Sequence, residues 1–226
     1  MLKRAKMPFL GKYYGKVFFI MEKNDYPWKG CGTEKDITGC RFSLSVMSDE
    51  YVAKILEAIG QVDCSKVWSQ TDALSTVYRG RRIHVIDGVK ACFVHVNDEK
   101  THMTMEATFS KGCLGDVEKD YVIEEDDTLV NYTNEKFQVL SKIAFYPLGV
   151  EDYMDHISHV VKMAINKGLY EKSAHYATEL SGDVNELFDY FNEVLAYAEE
   201  NIKHYVLQVT LSVNSPTRDI WGYTSI

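Results

Sequence analysis

The chain has 226 residues, of which 46% are hydrophobic and 26% are charged, a composition typical of a globular protein. Its net charge of −8 argues against a general nucleic-acid or anionic-membrane surface, and no apolar run approaches the roughly 20 residues of a membrane span. The five cysteines include no C-x-x-C spacing, so we expect reduced, partly buried thiols rather than a zinc site or a disulfide framework.

Residues 1–38 are predicted to form an N-terminal extension. Its basic start is followed by the apolar stretch FLGKYYGKVFFIM, which Lys12 and Lys16 interrupt. A signal peptide needs an uninterrupted apolar region, so none is predicted. We interpret residues 1–30 as a disordered or misassigned leader, with Met21 as an alternative start, and a surface-lying segment stays open.

Residues 39–115 are predicted to form one folded unit. In chain order we expect a half-buried strand at 41–47, a helix from Ser48, two short strands at 66–71 and 74–80, a helix at 81–96 and a last strand at 101–110. Ser48 is expected to cap the first helix, with Asp49 and Glu50 in its first turn, where negative charge suits the helix dipole.

Residues 116–137 are acidic and are predicted to be a connector. Asn131, Tyr132 and Thr133 fit a glycosylation sequon, but nothing else in the sequence suggests secretion.

Residues 138–217 are predicted to repeat the same element order, followed by a tail at 218–226. We expect a strand around Ile143, a helix at 151–167, a strand pair within 169–182, a second helix and a last strand at 205–213. Asp183 and Glu186 form the sequence pattern of a capping box at the start of that second helix.

The two units are copies of one another. ATFSKGCLGD, residues 107–116, aligns without a gap with VTLSVNSPTR, residues 209–218, and the same shift of 102 positions carries Gly80 onto Gly182. Each copy reads strand, helix, strand, strand, helix, strand, which is the ferredoxin-like unit. The predicted fold is therefore α+β, a tandem repeat of two ferredoxin-like βαββαβ units with antiparallel sheets. Each copy has only about 80 residues, so we expect each to be stabilised by packing against the other copy or against a second chain.

In each repeat the helices are expected to cover one sheet face and to leave polar residues on the other. These are Arg41, Ser43, Ser45, Ser75, Glu106, Thr108 and Ser110 in the first repeat, and Lys142, Tyr146, His175, Glu179, Gln208, Thr210 and Ser212 in the second. Two interpretations stay open. The open face is either solvated or paired with another sheet, or it is a pocket whose polar groups fix a small ring.

Other candidate sites are weaker. His156 and His159 lie three residues apart on a helix, but a metal site needs a third ligand that the sequence does not supply. Ser110, Ser212 and Cys113 are candidate nucleophiles without an evident adjacent base. His102 and His204 occupy equivalent positions, where a hydrogen bond to a backbone carbonyl is the expected role. GCLGD does not precede a helix, so it is not interpreted as a phosphate-binding loop.

Several motifs, in order and in register, resemble a known family. They are CGTEKDITGCRFSLSVMSDEY, SKVWSQTDALSTVYRG, ATFSKGCLGD, YPLGVEDYM, HYATELSGD and LSVNSPTR. Together they are similar to the YkoF family of thiamin- and hydroxymethylpyrimidine-binding proteins, from about Cys31 to Arg218. Leu114 stands where that family is expected to have proline.

The resemblance implies a tandem of ferredoxin-like repeats assembled as a homodimer, with one pocket in each repeat for the aminopyrimidine of thiamin or hydroxymethylpyrimidine. It implies binding rather than catalysis, without a cofactor. It also implies a soluble cytoplasmic protein that serves precursor uptake with an ABC-type transporter.

An aminopyrimidine offers an amine donor and ring-nitrogen acceptors, so it needs carboxylate or hydroxyl partners and an apolar slot. The residues proposed to supply them are Arg41, Ser43, Asp72, Ser75, Thr76, Glu106, Thr108 and Ser110 in the first repeat and Tyr146, His175, Thr178, Glu179, Thr210 and Ser212 in the second. Glu179 and His175 correspond to Val77 and Ala73, so the two pockets are expected to differ in affinity. A thiamin-salvage enzyme and a sheet-mediated assembly protein are the alternative functions.

Overall fold

The computed structural model describes residues 37–111 and 126–217, which belong to one compact unit. Residues 1–36 of the N-terminal extension, the GCLGD turn with Cys113, and the tail lie outside the described residues. The elements are β1 (Thr38–Val46), α1 (Tyr51–Gly60), β2 (Trp68–Thr71), β3 (Thr76–Gly80), α2 (Arg82–Val96), β4 (Met103–Lys111), β5 (Gln138–Leu148), α3 (Tyr153–Asn166), β6 (Tyr170–Ala174), β7 (Ala177–Asp183), α4 (Val184–Asn201) and β8 (His204–Val213). Among these helices, none has the length and apolar character needed to cross a membrane.

The strands form one antiparallel sheet in the order β2-β3-β1-β4-β8-β5-β7-β6. Within each half the four strands have the same order, and two helices connect them. The predicted tandem of ferredoxin-like units is therefore confirmed. The halves join through β4 and β8, where Ala107 pairs with Val209. These two residues are also 102 positions apart, so they are counterparts that face each other, and the pseudo-twofold axis of the molecule passes between them.

The core lies between the sheet and the helices that cover one of its faces. Alternate residues of β4 are buried there, as the sequence pattern predicted: Met103, Met105, Ala107 and Phe109. Aromatic rings join the two repeats above the sheet. The ring of Phe93 on α2 lies 6.2 Å from Phe188 on α4 and 6.1 Å from Phe137, which precedes β5. The two repeats therefore share one hydrophobic core.

Of the two predicted helix caps, one is confirmed and one is wrong. The capping box of α4 is confirmed, because Asp183 accepts from Asn185 N and Glu186 accepts from Asp183 N. In α1, however, the helix begins at Tyr51. The Ser48 hydroxyl accepts from Glu50 N at 3.2 Å and so closes a turn, which leaves Asp49 and Glu50 before the helix instead of in its first turn.

His84, in the first turn of α2, is buried, and neither ring nitrogen has a hydrogen-bond partner. Burial lowers the pKa of this histidine; the charges of Lys66 and Arg81 also lower it, while those of Asp126 and Asp87 raise it. The unfolded chain therefore takes up the proton more readily than the folded protein does. Stability is retained above the unfolded value of about 6.5 and is lost as the pH falls below it.

We therefore expect the urea midpoint of the wild type to fall between pH 7.5 and pH 5 by more than that of His84→Leu, which keeps an apolar side chain at this site. Carboxylates titrate in both proteins, so the difference between the two midpoints reports His84. Equal losses in the two proteins would show that His84 is not responsible.

Candidate ligand-binding site

The face of the sheet opposite the helices carries a continuous row of polar side chains, one from each of six strands. Cross-strand pairing defines this row, which we name the Glu106 row, as Ser43, Glu106, Thr210, Lys142, Glu179 and Lys172. Side chains directly opposite each other on neighbouring strands lie about 5 Å apart. The row therefore places hydroxyl, carboxylate and ammonium groups from both repeats side by side.

The pseudo-twofold axis relates this row to a second one, which we name the Arg41 row: Ala144, Gln208, Thr108, Arg41, Val77 and Gln70. In the outer strands the chemistry changes. Arg41 corresponds to Lys142, but Val77 and Gln70 replace the ionic groups of Glu179 and Lys172. The two rows have the same geometry and different charge patterns.

Glu179 is held by two lysines of its own row. Its carboxylate oxygens lie 3.1 Å from Lys142 Nζ and 3.2 Å from Lys172 Nζ, and its side chain is only 13% exposed. Because both oxygens already have cationic partners, Glu179 is a poor choice for the carboxylate that accepts a ligand amine.

Glu106 is the better candidate for that acceptor. It is exposed and stands between Ser43 and Thr210, and within the described ranges it has no hydrogen bond or ion pair. A carboxylate flanked by two hydroxyls offers one strong acceptor and two donors along about 10 Å of surface. The carboxylate and one of the two hydroxyls complement an amine donor with a ring-nitrogen acceptor beside it, as in an aminopyrimidine.

Two of the predicted residues face the other way. Thr76 pairs with Phe42 and Thr178 pairs with Ile143, and both partners are buried beneath the helices. Directly paired residues share a sheet face, so the two threonines are buried on the helix side. The expectation that they stand beside the open-face residues is wrong.

Asp72, Ser75 and His175 lie in the two hairpins at the outer edges of the sheet. Asp72 accepts from Leu74 N at 2.7 Å and Ser75 N at 2.9 Å, and these bonds lower the pKa of its carboxyl, with a smaller contribution from Arg41. Asp72 thus closes the β2–β3 turn close to the Arg41 row. His175 is exposed beside Tyr176, which has a φ of 63°. The structure does not bring His175 to the Glu106 row.

The remaining predicted residues lie on the open face beyond the two rows. The Ser110 hydroxyl donates to the Tyr205 carbonyl at 3.2 Å, and Tyr146 pairs with Val206 and is 43% exposed. Ser212 has a neighbour that the sequence did not reveal, because its hydroxyl lies 3.2 Å from His102 Nε2. His102 therefore contacts a side-chain hydroxyl where a backbone carbonyl was expected.

The histidine candidates His156 and His159 have structural roles in the described part of the chain. His156 Nδ1 lies 2.7 Å from the Tyr197 hydroxyl, and His159 stacks on the same ring at 4.1 Å. No group of three or more metal-ligating side chains occurs among the described residues. Burial raises the pKa of the Cys40 thiol and raises that of Cys92 to about 12, so both stay protonated at neutral pH.

A cavity of about 450 Å³ lies on the helix side, and the sequence did not predict it. Its walls are α2, α4 and the connector segment 127–133, and its apolar floor includes Ile86 and Phe188. Asp87 fastens the connector to α2, since one carboxylate oxygen accepts from Val130 N at 3.2 Å and from Asn131 N at 3.0 Å. The Asn131 side chain also donates to that oxygen, at 2.9 Å.

We expect Asp87→Ala to destabilise the protein by about 2–3 kcal/mol, because it leaves the partly buried N–H groups of Val130 and Asn131 without their charged acceptor. Asp189→Ala is the matched control, since Asp189 is the repeat counterpart of Asp87 but is exposed; it should change stability by less than about 0.5 kcal/mol. Urea unfolding measures both. Similar values for the two variants would show that the Asp87 contacts contribute nothing particular.

Comparison with known proteins identifies the family to which the chain belongs. Residues 37–116 and 138–218 match the model of the YkoF-related family, once for each repeat. A Bacillus subtilis (strain 168) protein named "Putative HMP/thiamine-binding protein YkoF" is 39% identical over 191 residues, 83% of this chain and 95% of that protein. A crystal structure from Thermotoga maritima, described as a "putative thiamine biosynthesis/salvage protein", is 22% identical and has a TM-score of 0.33, covering 38% of this chain and 99% of that one. With both repeats matched and nearly the full length of the relative aligned, this chain belongs to the YkoF-related family.

Proposed function

We propose that the protein binds thiamin and its pyrimidine precursor, 4-amino-5-hydroxymethyl-2-methylpyrimidine, without converting them. The 39% identity to a relative named for this ligand class carries the proposal. The open face supports it, because it combines an exposed carboxylate without a partner among the described residues and neighbouring hydroxyls in a spacing suited to an aminopyrimidine.

The first proposed site is centred on Glu106. The exocyclic amine of the pyrimidine donates to the Glu106 carboxylate, and one of the two flanking hydroxyls, Ser43 or Thr210, donates to the ring nitrogen next to the amine. The other hydroxyl lies beside the substituent at carbon 5, on the other side of the amine. Each site draws residues from both repeats, since Glu106 belongs to the first and Thr210 to the second. This revises the simpler expectation of one self-contained pocket within each repeat.

The second proposed site lies on the Arg41 row, around Thr108 and Gln208. It lacks a carboxylate and contains Arg41, so the thiazolium cation of thiamin is disfavoured there. We therefore expect two sites of unequal affinity, with thiamin preferring the Glu106 row.

Isothermal titration calorimetry with hydroxymethylpyrimidine, thiamin and thiamin pyrophosphate tests this function. The expected result is saturable binding of the first two ligands, fitted by two sites per chain with different affinities. The absence of heat with any ligand, on protein shown to be folded by circular dichroism, would leave the fold intact and remove the function.

A salvage enzyme acting on the pyrimidine is the second candidate, and the contact between Ser212 and His102 is the observation that favours it. A serine nucleophile needs such a base and a third group that orients the base. Within the described ranges, the other ring nitrogen of His102 has no partner of that kind. Prolonged incubation with thiamin, followed by mass spectrometry, should return unchanged thiamin. A converted product that disappears in Ser212→Ala would establish the enzyme instead.

The proposal extends to assembly and cellular role. The resemblance to the family supports a cytoplasmic homodimer that serves precursor uptake with components of an ABC-type transporter. Light scattering coupled to size-exclusion chromatography should give the mass of two chains. A monomer at micromolar concentration would contradict the homodimer without affecting the binding proposal.

A further inference from the structure

The cavity between α2 and α4 contains the same acidic position twice, in two different states. Asp87 and Asp189 are 102 positions apart, so they are counterparts on the two helices, and both line the cavity. Over α2, connector backbone N–H groups donate to Asp87. Over α4, Asp189 is exposed, and within the described ranges no donor is bonded to it.

The contacts between Asp87 and the connector show which kind of chemical group this acidic position binds. At Asp87 the bound group presents two adjacent N–H donors to one carboxylate oxygen, at 3.0 and 3.2 Å, and a third from the Asn131 amide at 2.9 Å. Leu129, in the same segment, also lines the cavity. By pseudo-symmetry, a molecule that carries adjacent N–H donors next to an apolar body fits the open position at Asp189.

The charges that surround the cavity point to a cation. Its lining contains Asp87, Asp127 and Asp189 against Lys90. Asp127 is paired with Arg81, whose Nη2 lies 2.5 Å from it. Three carboxylates against these two cations leave one excess negative charge. Among these carboxylates, Asp127 is paired with a cation and Asp87 is already hydrogen-bonded to the connector, so Asp189 is the one that is open to a cationic ligand.

The volume and the lining of the cavity indicate what the remaining part of the ligand is. About 450 Å³ is within the range of small-molecule sites. The lining includes the buried apolar residues Ile86 and Phe188 and the connector residues Leu129 and Tyr132, which are 50% and 88% exposed. Asn192 and Thr133 add polar groups at the wall. An apolar body the size of a single aromatic ring therefore fits this volume and lining, with its cationic end at Asp189.

We infer that this interhelical cavity is a second ligand site, separate from the open sheet face, for a small aromatic or heteroaromatic monocation with adjacent N–H donors. The inference does not depend on the proposed function, because it uses the opposite face of the sheet and different residues.

Benzamidine, a planar aromatic amidinium, is the probe for this site. In an amide NMR titration we expect saturable shifts at Asp189, Asn192 and Tyr132. Neutral benzamide should bind more weakly, and anionic benzoate should not shift these resonances. Asp189→Asn should weaken benzamidine binding by roughly tenfold or more, since it removes a charged acceptor. Glu200→Gln, the same chemical change at an exposed site of α4 outside the lining, should leave binding unchanged.

Three results would overturn the inference: no saturable shift in the lining at the solubility limit of benzamidine, equal binding of benzoate, or unchanged affinity in Asp189→Asn. Asp189 is exposed, so its substitution should leave the fold intact, and the remaining amide spectrum verifies this. A negative benzamidine result would not contradict thiamin binding at the open face. A protein that did not bind thiamin would likewise not contradict the site between the helices.

Discussion

Replacing Phe93 by alanine is expected to lower the free energy of unfolding by about 3–5 kcal/mol. The Phe93 side chain is fully buried on α2 of the first repeat, and its ring packs against two rings beyond that repeat, Phe137 just before β5 and Phe188 on α4. Its removal leaves a cavity in the part of the core that the two repeats share. A globular protein has only about 5–15 kcal/mol of stability, so much of the total is lost.

Urea unfolding followed by circular dichroism measures this effect. We expect one cooperative transition in both proteins, because both halves of the sheet and both helix pairs pack into the same core. Tyr132→Ala is the matched aromatic control, since this side chain is 88% exposed, and it should change stability by less than about 0.5 kcal/mol. Separate transitions for the two repeats would contradict the shared core.

Thr210→Arg is expected to abolish binding at the Glu106 row while leaving the fold intact. Thr210 is exposed and lies directly opposite Glu106 on the neighbouring strand. An arginine there reaches the carboxylate, pairs with it bidentately and fills the space that the pyrimidine needs. The expected loss of affinity at that site is at least about a hundredfold, since a charged hydrogen bond and the steric access are lost together.

Thr108→Arg is the matched variant, because Thr108 is the repeat counterpart of Thr210 and belongs to the Arg41 row. In calorimetry, each variant should lose one of the two binding events, with thiamin affected more by Thr210→Arg. Urea midpoints should stay within the error of the wild type. If both variants retained two sites, the open face would not hold the ligand. If both variants lost dimerisation, and neither the variants nor the wild type bound a ligand, sheet-mediated assembly would be the better-supported function.

Much of the fold was predictable because both repeats follow simple physical patterns. The alternation of Met103, Met105, Ala107 and Phe109 with polar residues predicted the buried face of β4, and Asp183 with Glu186 predicted the start of α4. The joining of the two sheets through β4 and β8 was not predictable. A strand at the edge of a four-stranded sheet and a strand in the middle of an eight-stranded sheet have the same alternation when one face is covered and the other is open.

The site was predicted less well, for two separate reasons. Successive residues of a strand point to opposite faces, so Thr178 lies on the side opposite to Glu179, and Thr76 on the side opposite to Val77. The alternation of a strand by itself therefore excludes Thr76 and Thr178 from the open face. The lysine pairs of Glu179 and the row that joins Glu106 to Thr210 depend on the register between distant strands, which no local pattern specifies.

The interhelical cavity left only a faint sequence signal, the equivalent aspartates at positions 87 and 189. Their different environments arise because the connector returns over α2, and its path depends on hydrogen bonds between residues far apart in the chain, such as Asp63 N with the Asn131 side chain at 2.8 Å.

An amide NMR titration of the labelled protein with hydroxymethylpyrimidine tests most directly whether the open face binds the pyrimidine. We predict saturable shifts centred on Ser43, Glu106 and Thr210, with a second, weaker set around Thr108 and Gln208. A spectrum that does not change, or shifts confined to the interhelical cavity at Asp189 and Asn192, would contradict the open-face site.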